Sequence, residues 1–220
     1  HDKDPVIPPE STDVDDAPSV VSGNKQGSGG PYGQRGSQSV ARNMGASAES
    51  ESAVEAGLAW LAKVQCKDGH WTVNGREDGG ERYGVGHTGL ATLAFLGAGH
   101  THKGKSKYRD NVKRALEWLI RKQGENPLGG ACSRNFYEHG IAATALCEAY
   151  GMTKDRALKR PCIKAIDFIV NNMGGNGGFG YNGAGDDAHV TSFQVMAVKS
   201  AKLAGLDIRK GVFSKLKGYY

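Results

Sequence analysis

Two histidines lie at matching places in the sequence, and histidine is the side chain whose proton affinity falls nearest neutral pH. His87 lies twelve residues before Gly99, and His139 lies twelve residues before Gly151, with Glu138 directly in front of it. If both glycines end equivalent helices, we expect the two imidazoles on one rim, where helix N-termini favour bound anions. This rim is a candidate ligand-binding site. In the other interpretation, the histidines cap helices or fill contacts between structural repeats.

Two adjacent carboxylates, Asp186 and Asp187, precede another predicted helix, and His189 follows them closely. All three side chains would approach the same rim. Neighbouring carboxyls can hold a proton for acid catalysis, but two acids at a helix start also cap its free N–H groups. The two aspartates are therefore weak catalytic candidates, and capping is the simpler interpretation.

The four cysteines show no metal-binding pattern, because none of them has C-x-x-C spacing. Cys66 and Cys132 both follow first helices of neighbouring repeats. They could form a disulfide in an oxidising compartment, or they could be unrelated thiols. Cys147 and Cys162 are typical of small core residues. We predict no metal and no cofactor.

The positions of these side chains depend on the fold, and an internal sequence repeat is the strongest indication of that fold. Aligned on itself, the sequence gives three copies of a first helix and three copies of a second helix that ends in glycine. The first helices contain residues 56–65, 114–123 and 164–173, and the second helices contain residues 90–99, 142–151 and 196–205. Each copy therefore predicts a helix, a Gly-rich loop, a helix and a left-handed glycine stop.

Helical periodicity sets the predicted fold class, which is all-α. The first helix is expected from Glu49 to Val64, and Pro161 is expected in the first turn of the fifth helix. The second helices are apolar on nearly all sides, which is typical of enclosed helices. The predicted hairpins span residues 49–105, 106–155 and 156–206. Residues 207–220 are expected to begin a further repeat or to form a tail.

A motif after the first helix of the first repeat predicts a joint between repeats. Asp68 and Gly69 favour a turn with a left-handed residue, and Gln65 can bond free carbonyls at the helix end. Trp71 would cover the joint. In the second copy Gln123 takes the place of the first glutamine. We expect these residues to fasten one repeat to the next.

The chain divides by charge into an acidic arm and a basic body. Residues 1–48 hold six acids and four bases, a net of −2, and the rest carries +7, which gives the overall +5. The arm is rich in Pro, Gly, Ser and Asp, so we expect an extended segment that needs a partner to become ordered. The basic residues are scattered over predicted outer faces. Nucleic acid is therefore not a predicted partner.

The sequence leaves the compartment open. No stretch reaches the roughly 20 apolar residues of a membrane-spanning helix, and no cleavable signal is visible. The chain begins at His1 and not at Met, so we expect a processed product. Export to the periplasm, or membrane association through a partner or a removed N-terminal segment, are the alternatives that this suggests.

Four further segments, together with the Gln-x-x-Asp-Gly-x-Trp motif of residues 65–71, carry a family resemblance. They are residues 53–61, 93–103, 137–142 and 193–201. Over residues 49–206 the chain resembles the squalene and oxidosqualene cyclases, and more closely a bacterial group of prenyltransferase/squalene-oxidase repeat proteins. The resemblance implies an α/α toroid. A full toroid closes with five or six hairpins, so three hairpins imply an incomplete ring with an open edge.

The resemblance gives less support to an activity. Cyclases of this kind protonate substrate with an Asp-x-Asp-Asp motif, and Ala184 occupies the place of the first aspartate here. The zinc triad of the prenyltransferases is not matched. We therefore expect a non-catalytic repeat module that binds a protein, or another copy, through its arm and open edge. The alternative is a terpenoid cyclase-like or prenyltransferase-like enzyme, or a carrier, that binds an isoprenoid-like apolar ligand in the helical cavity.

Overall fold

The computed structural model describes residues 31–72 and 83–220. Helices make up about 61% of this part of the chain, so the predicted all-α class is confirmed. The described helices are α1 Gln38–Asn43, α2 Ala48–Val64, α3 Gly84–Gly97, α4 Arg109–Glu125, α5 Phe136–Thr153, α6 Arg156–Asn171, α7 Ala188–Leu203 and α8 Val212–Lys217. A short antiparallel ladder, β1 Phe179–Gly180 with β2 Gly183–Ala184, joins α6 to α7.

Most of the long helices begin at a side chain that accepts a free backbone N–H. Ser47 and Ser50 form a reciprocal capping box at the start of α2. Asn135, Asp155 and Asp187 cap α5, α6 and α7 in the same sense. A cap of this type contributes about 1 kcal/mol. The local sequence therefore fixes where these helices start.

The inner helices α3, α5 and α7 lie side by side, with α5 in the middle. The outer helix α4 packs mainly against α3, and α6 packs mainly against α5. Glycines permit the close approach, because a Cβ at Gly89 would lie 2.8 Å from Cγ2 of Ile141. At the next contact, a Cβ at Gly140 would lie 2.5 Å from Nε2 of Gln194. The helices that the sequence predicts to be enclosed thus form the centre of the molecule.

Two predicted helix boundaries are wrong. Gly151 does not end a helix, because α5 continues to Thr153 and Lys154 takes the left-handed conformation with φ 51°. Gly151 is instead buried beneath the ring of Tyr32, which a Cβ there would overlap. Pro161 lies inside α6 and not in its first turn, because Asp155 starts this helix earlier than expected.

The described part of the N-terminal arm is docked and partly helical, whereas the sequence predicts an extended arm over residues 1–48. Residues 1–30 lie outside the described part. Tyr32 is buried and donates its hydroxyl to the carbonyl of Ser200 at 3.1 Å. Arg35 pairs with Glu148 at 2.5 Å. Residues 32–36 therefore cross the C-terminal ends of the inner helices before α1 begins.

The long helices follow one another along the chain. α2 and α3 lie in residues 49–105 apart from Ala48, α4 and α5 lie in 106–155, and α6 and α7 lie in 156–206. α8 lies in the C-terminal stretch from 207 to 220.

None of the helices in the described ranges combines the length and apolarity needed to cross a bilayer.

Candidate functional site

Three glycines form matching joints between a loop and the next outer helix. Gly69, Gly130 and Gly177 all have positive φ, at 106°, 104° and 88°. A Cβ at any of them would overlap a backbone carbonyl of that helix. The carbonyls belong to Arg114 in α4, Lys164 in α6 and Lys215 in α8. Only glycine fits such a position, so these joints need both its conformational freedom and its small size.

Gln65 fastens the first joint. Its Nε2 donates to the carbonyl of Gly69 at 2.8 Å and to the carbonyl of Asn111 at 3.0 Å. Its Oε1 accepts from the side chains of Asn111 and Arg114, both at 2.7 Å. One glutamine thus ties the loop to the first turn of α4.

Gln123 makes the corresponding bonds at the second joint. Its Nε2 donates to the carbonyl of Gly130 at 2.9 Å and to the carbonyl of Pro161 at 3.1 Å. The side chain is buried, so an unpaired amide there would cost about 1–3 kcal/mol. Both glutamines that the sequence predicts to be fasteners therefore bond a loop glycine and the next outer helix.

Asp68 joins the loop to the aromatic side of α4. Its Oδ1 lies 2.5 Å from Nδ1 of His70, and its Oδ2 accepts from Nε1 of Trp118 at 3.0 Å. The rings of His70 and Trp118 stack with centroids 5.1 Å apart. Burial opposes ionisation of Asp68, but the hydrogen bonds from His70 and Trp118 leave its pKa below the ordinary value. Trp71 closes the same joint through a bond from Nε1 to the carbonyl of Leu61 at 2.9 Å.

An aromatic residue lies four positions after each joint carbonyl. Trp118 follows Arg114, Phe168 follows Lys164, and Tyr219 follows Lys215. Phe168 stacks on Phe136 at 5.1 Å, and the Tyr219 ring lies against Gly178. The first outer helix carries Trp60 at the matching place in the sequence alignment, but Trp60 is 61% exposed. Of these four aromatic residues, Trp60 alone is exposed.

A second set of bonds latches each loop onto an inner helix. The residue two positions after each joint glycine donates its backbone N–H to a side chain in the first two turns of that helix. The pairs are Trp71 with Thr88 at 3.1 Å, Cys132 with His139 at 3.0 Å, and Phe179 with Thr191 at 3.0 Å. The structural equivalent of His139 is therefore Thr88, and not His87. The twelve-residue count is wrong because Gly151 is not the end of α5.

His139 lies in the core and does not reach a rim. Its side chain is fully buried, with Nδ1 accepting from Cys132 and Nε2 lying 3.1 Å from the carbonyl of Ala165. Because Nδ1 accepts, the neutral tautomer carries its proton on Nε2 and donates to Ala165. Burial lowers the pKa of His139 to about 4, although the bond to Ala165 acts in the opposite direction. The imidazole is therefore neutral over the physiological pH range.

His87 and Glu138 are brought together at the start of α3. Oε2 of Glu138 accepts from the N–H of Gly86 at 3.2 Å, where Tyr83 supplies no side-chain cap. Burial raises the pKa of Glu138, while the bond from Gly86 and the nearby His87 oppose that rise. His87 is half-buried, and its ring meets the edge of Tyr83 at 6.5 Å. Glu138 thus caps a neighbouring helix, with a titratable partner beside it.

The acidic pair before α7 is arranged as a cap. Oδ1 of Asp187 accepts from the N–H of Val190 at 2.9 Å. Asp186 and His189 are exposed at the surface. This geometry leaves the carboxylate of Asp187 engaged with the helix and does not bury a proton between two acids.

Cys66 and Cys132 are not joined by a disulfide, and the same holds for Cys147 and Cys162. Within residues 31–72 and 83–220, no cluster of three or more His, Cys, Asp or Glu side chains is arranged to hold a metal ion. The thiols of Cys147 and Cys162 are neighbours, which raises the pKa of Cys147 well above its ordinary value.

A groove between α4 and the start of α6 was not predicted from the sequence. It encloses about 330 Å³ and is lined in part by His102, Lys103 and Asp155. Oδ2 of Asp155 lies 2.9 Å from Nε2 of His102 and 2.9 Å from Nζ of Lys103, and the bonds from Lys103 and then His102 lower the pKa of Asp155 to about 2. A pair between residues so far apart in the chain leaves no local pattern, so the sequence does not predict this groove.

No protein-family model, curated protein or solved structure matches this chain.

Proposed function

We propose that the chain is a non-catalytic repeat module of squalene cyclase-like architecture that binds another protein, as a subunit of an assembly, through the ends of its helix row. The observation that carries the proposal is the exposure, at both ends of the row, of positions whose counterparts are buried in the middle. Terminal repeats that act as caps carry a polar outer face, so an exposed apolar surface at a repeat end marks a binding surface.

The three joints support the repeat architecture. Each joint places a glycine against an outer helix, and the residue two positions after that glycine is hydrogen-bonded to an inner helix. α8 makes the third joint through Lys215 and so occupies the place of a fourth outer helix. Stacking of this kind buries faces that one hairpin alone cannot bury.

One end of the row is the side formed by Val54 and Trp60 on α2 and by Leu90 and Ala94 on α3, which we name the N-edge. All four residues are exposed. Their aligned counterparts are buried, with Trp118 at 1% exposure against 61% for Trp60. The residue that replaces Leu90 in α5 is Ile141, at 1% exposure against 49%.

The other end is formed by Met196 and Leu203 on α7, which we name the C-edge. Met196 is 47% exposed, whereas its counterpart in α5, Thr144, is 2% exposed. Leu203 is also exposed. Among residues 31–72 and 83–220, the row of inner helices therefore has an exposed apolar face at each end, beside a well-packed middle.

The arrangement of the acids gives no comparable support to the alternative of an isoprenoid enzyme or carrier. Asp187 is bonded to its own helix, and His139 is in the core. A cyclase-like protonation step would require an acid free to meet the substrate. The alternative predicts conversion or retention of squalene or a prenyl diphosphate, with conversion lost in Asp187→Asn.

Site-specific photo-cross-linking in the native host tests the binding function. A photoreactive amino acid at position 90 or 196 is expected to give a defined protein adduct. The same amino acid in place of Lys159, exposed on α6 away from both edges, is the control and is expected to give none. Equal labelling at all three positions, or no adduct at either edge, would overturn the proposal.

A further inference from the structure

We propose that the partner of the C-edge is the N-edge of a second copy, so that copies of this chain join head to tail. This inference rests on the proposed function and names its partner. Within the chain, one type of helix contact occurs twice, between α3 and α5 and between α5 and α7. The N-edge presents one side of that contact, and the C-edge presents the other side. α5 packs on α3, and α7 packs on α5, through corresponding positions.

The inner-helix half of the contact matches position by position. Within the chain, Ile141 of α5 packs at Gly89 of α3, and Phe193 of α7 packs at Gly140 of α5. Leu90 holds the same position on α3 that Ile141 and Phe193 hold on the later helices. The small residue that would receive it on α7 is Ser192, the counterpart of the two glycines. An apolar knob and a small-residue socket are therefore left over at opposite ends of the row.

The charges of the two ends are complementary. α2 carries three glutamates and one lysine, a net of −2. Residues 199–211, which precede α8, carry four basic residues and one acid, a net of +3. Opposite charge on two docking surfaces favours encounter and disfavours contact between like edges. An N-edge therefore fits a C-edge better than it fits another N-edge.

The outer-helix half of the contact is covered by the chain's own C-terminal segment. Tyr219, which follows α8, lies against Gly178. At the third joint it occupies the position that Trp118 and Phe168 occupy at the two earlier joints. Trp60 of a second copy can reach that position only if α8 moves aside. α8 has six residues, whereas α2 has 17, so the incoming helix offers the longer contact. α8 thus competes with a second copy for the C-edge.

A head-to-tail contact differs from a two-fold contact in a way that mixing experiments resolve. Each copy uses two different surfaces, so assembly continues into rings or filaments unless one surface is blocked. A copy with a damaged N-edge and a copy with a damaged C-edge still share one intact contact. Their mixture must therefore stop at a pair.

Sedimentation equilibrium of the full-length chain and its variants provides the test. Wild type is expected to show concentration-dependent association that Tyr219→Ala strengthens. Leu90→Glu and Met196→Glu, both at exposed positions, are each expected to weaken it by roughly tenfold or more. Their equimolar mixture is expected to form 1:1 pairs and nothing larger. Leu128→Glu is the matched control, because Leu128 is equally exposed outside both edges, and it is expected to leave association unchanged.

Two results would overturn the inference. One is that wild type and Tyr219→Ala both stay monomeric at all concentrations, and the other is that the mixture of the two edge variants shows no recovery. Circular dichroism of each variant separates these results from misfolding. If the chain stays monomeric while positions 90 and 196 cross-link to a different protein, the self-association fails and the binding function stands. If those positions cross-link to nothing, both fail.

Discussion

A single buried imidazole, His139, shows how one residue position can serve the same structural purpose with different chemistry. It accepts the loop N–H of Cys132, as the hydroxyls of Thr88 and Thr191 accept theirs. Threonine does this without a titratable group. Histidine adds a second bond to Ala165 and makes the latch sensitive to acid. The latch in the centre of the molecule is therefore expected to lose stability at acidic pH, whereas the two threonine latches have no group that titrates.

We expect His139→Thr to remove most of the loss of stability between pH 6.5 and pH 4. The folded pKa of about 4 lies below the ordinary 6.5, so the unfolded chain binds the proton first and stability falls as pH falls through this window. The interval corresponds to roughly 3 kcal/mol. Urea unfolding at pH 7 and pH 4.5, on wild type and variant, measures it.

Glu138 acts in the opposite direction and does not obscure this comparison. Its raised pKa means that the folded protein binds a proton more readily, so its contribution to stability is lost as pH rises. It is present in both proteins and cancels in their difference. An equal loss of stability in wild type and His139→Thr would contradict the assignment of this acid sensitivity to the latch.

At the scale of elements, the joints depend on backbone positions that no side chain can share. Gly130 has φ 104°, and a Cβ there would lie 2.5 Å from the carbonyl oxygen of Lys164. Gly124 lies only six residues earlier, in α4, and a Cβ there would meet nothing within 4 Å. Alanine is therefore expected to fit at position 124 but not at position 130.

Gly130→Ala is expected to destabilise the protein by about 3 kcal/mol, because both the backbone strain and the overlap with α6 must be relieved. Gly124→Ala is expected to be neutral or to stabilise by about 0.5–1 kcal/mol, because alanine favours the helix. Thermal unfolding of the two variants measures the difference. Equal effects would mean that the joint does not require a glycine.

The sequence predicted the helices better than it predicted their contacts. Caps and periodicity are local, so the start of α2 was predicted to within one residue. Gly151 was misassigned because the reason for its small size is the ring of Tyr32, which comes from a distant segment. The same error shifted the equivalence of His139 by one residue, which placed a core side chain on a rim. Features that depend on nearby residues, such as helix caps, were predictable from the sequence. Features that depend on contacts with distant residues were not.

The whole molecule is a row in which each helix contacts mainly its neighbours, so stability should vary along it. α5 is packed between α3 and α7 and is almost entirely buried. α2 packs lightly against α3, and Leu58 is its only buried residue. Elements with few buried contacts open at lower free energy than the global transition. α2 should therefore open before the centre does.

Native-state hydrogen exchange should resolve this order. Amides in the middle of α5 are expected to exchange only by global unfolding, and amides of α2 by a local opening of lower free energy. Leu58→Ala should then lower protection in α2 while leaving α5 nearly unchanged, because the rest of the row remains packed when α2 opens. Leu146→Ala, in the centre of α5, is the contrasting variant and should lower protection throughout, by about 2–5 kcal/mol. If Leu58→Ala lowered protection equally in α2 and α5, the molecule would unfold as one unit, and α2 would not be separable from the row whose end it forms.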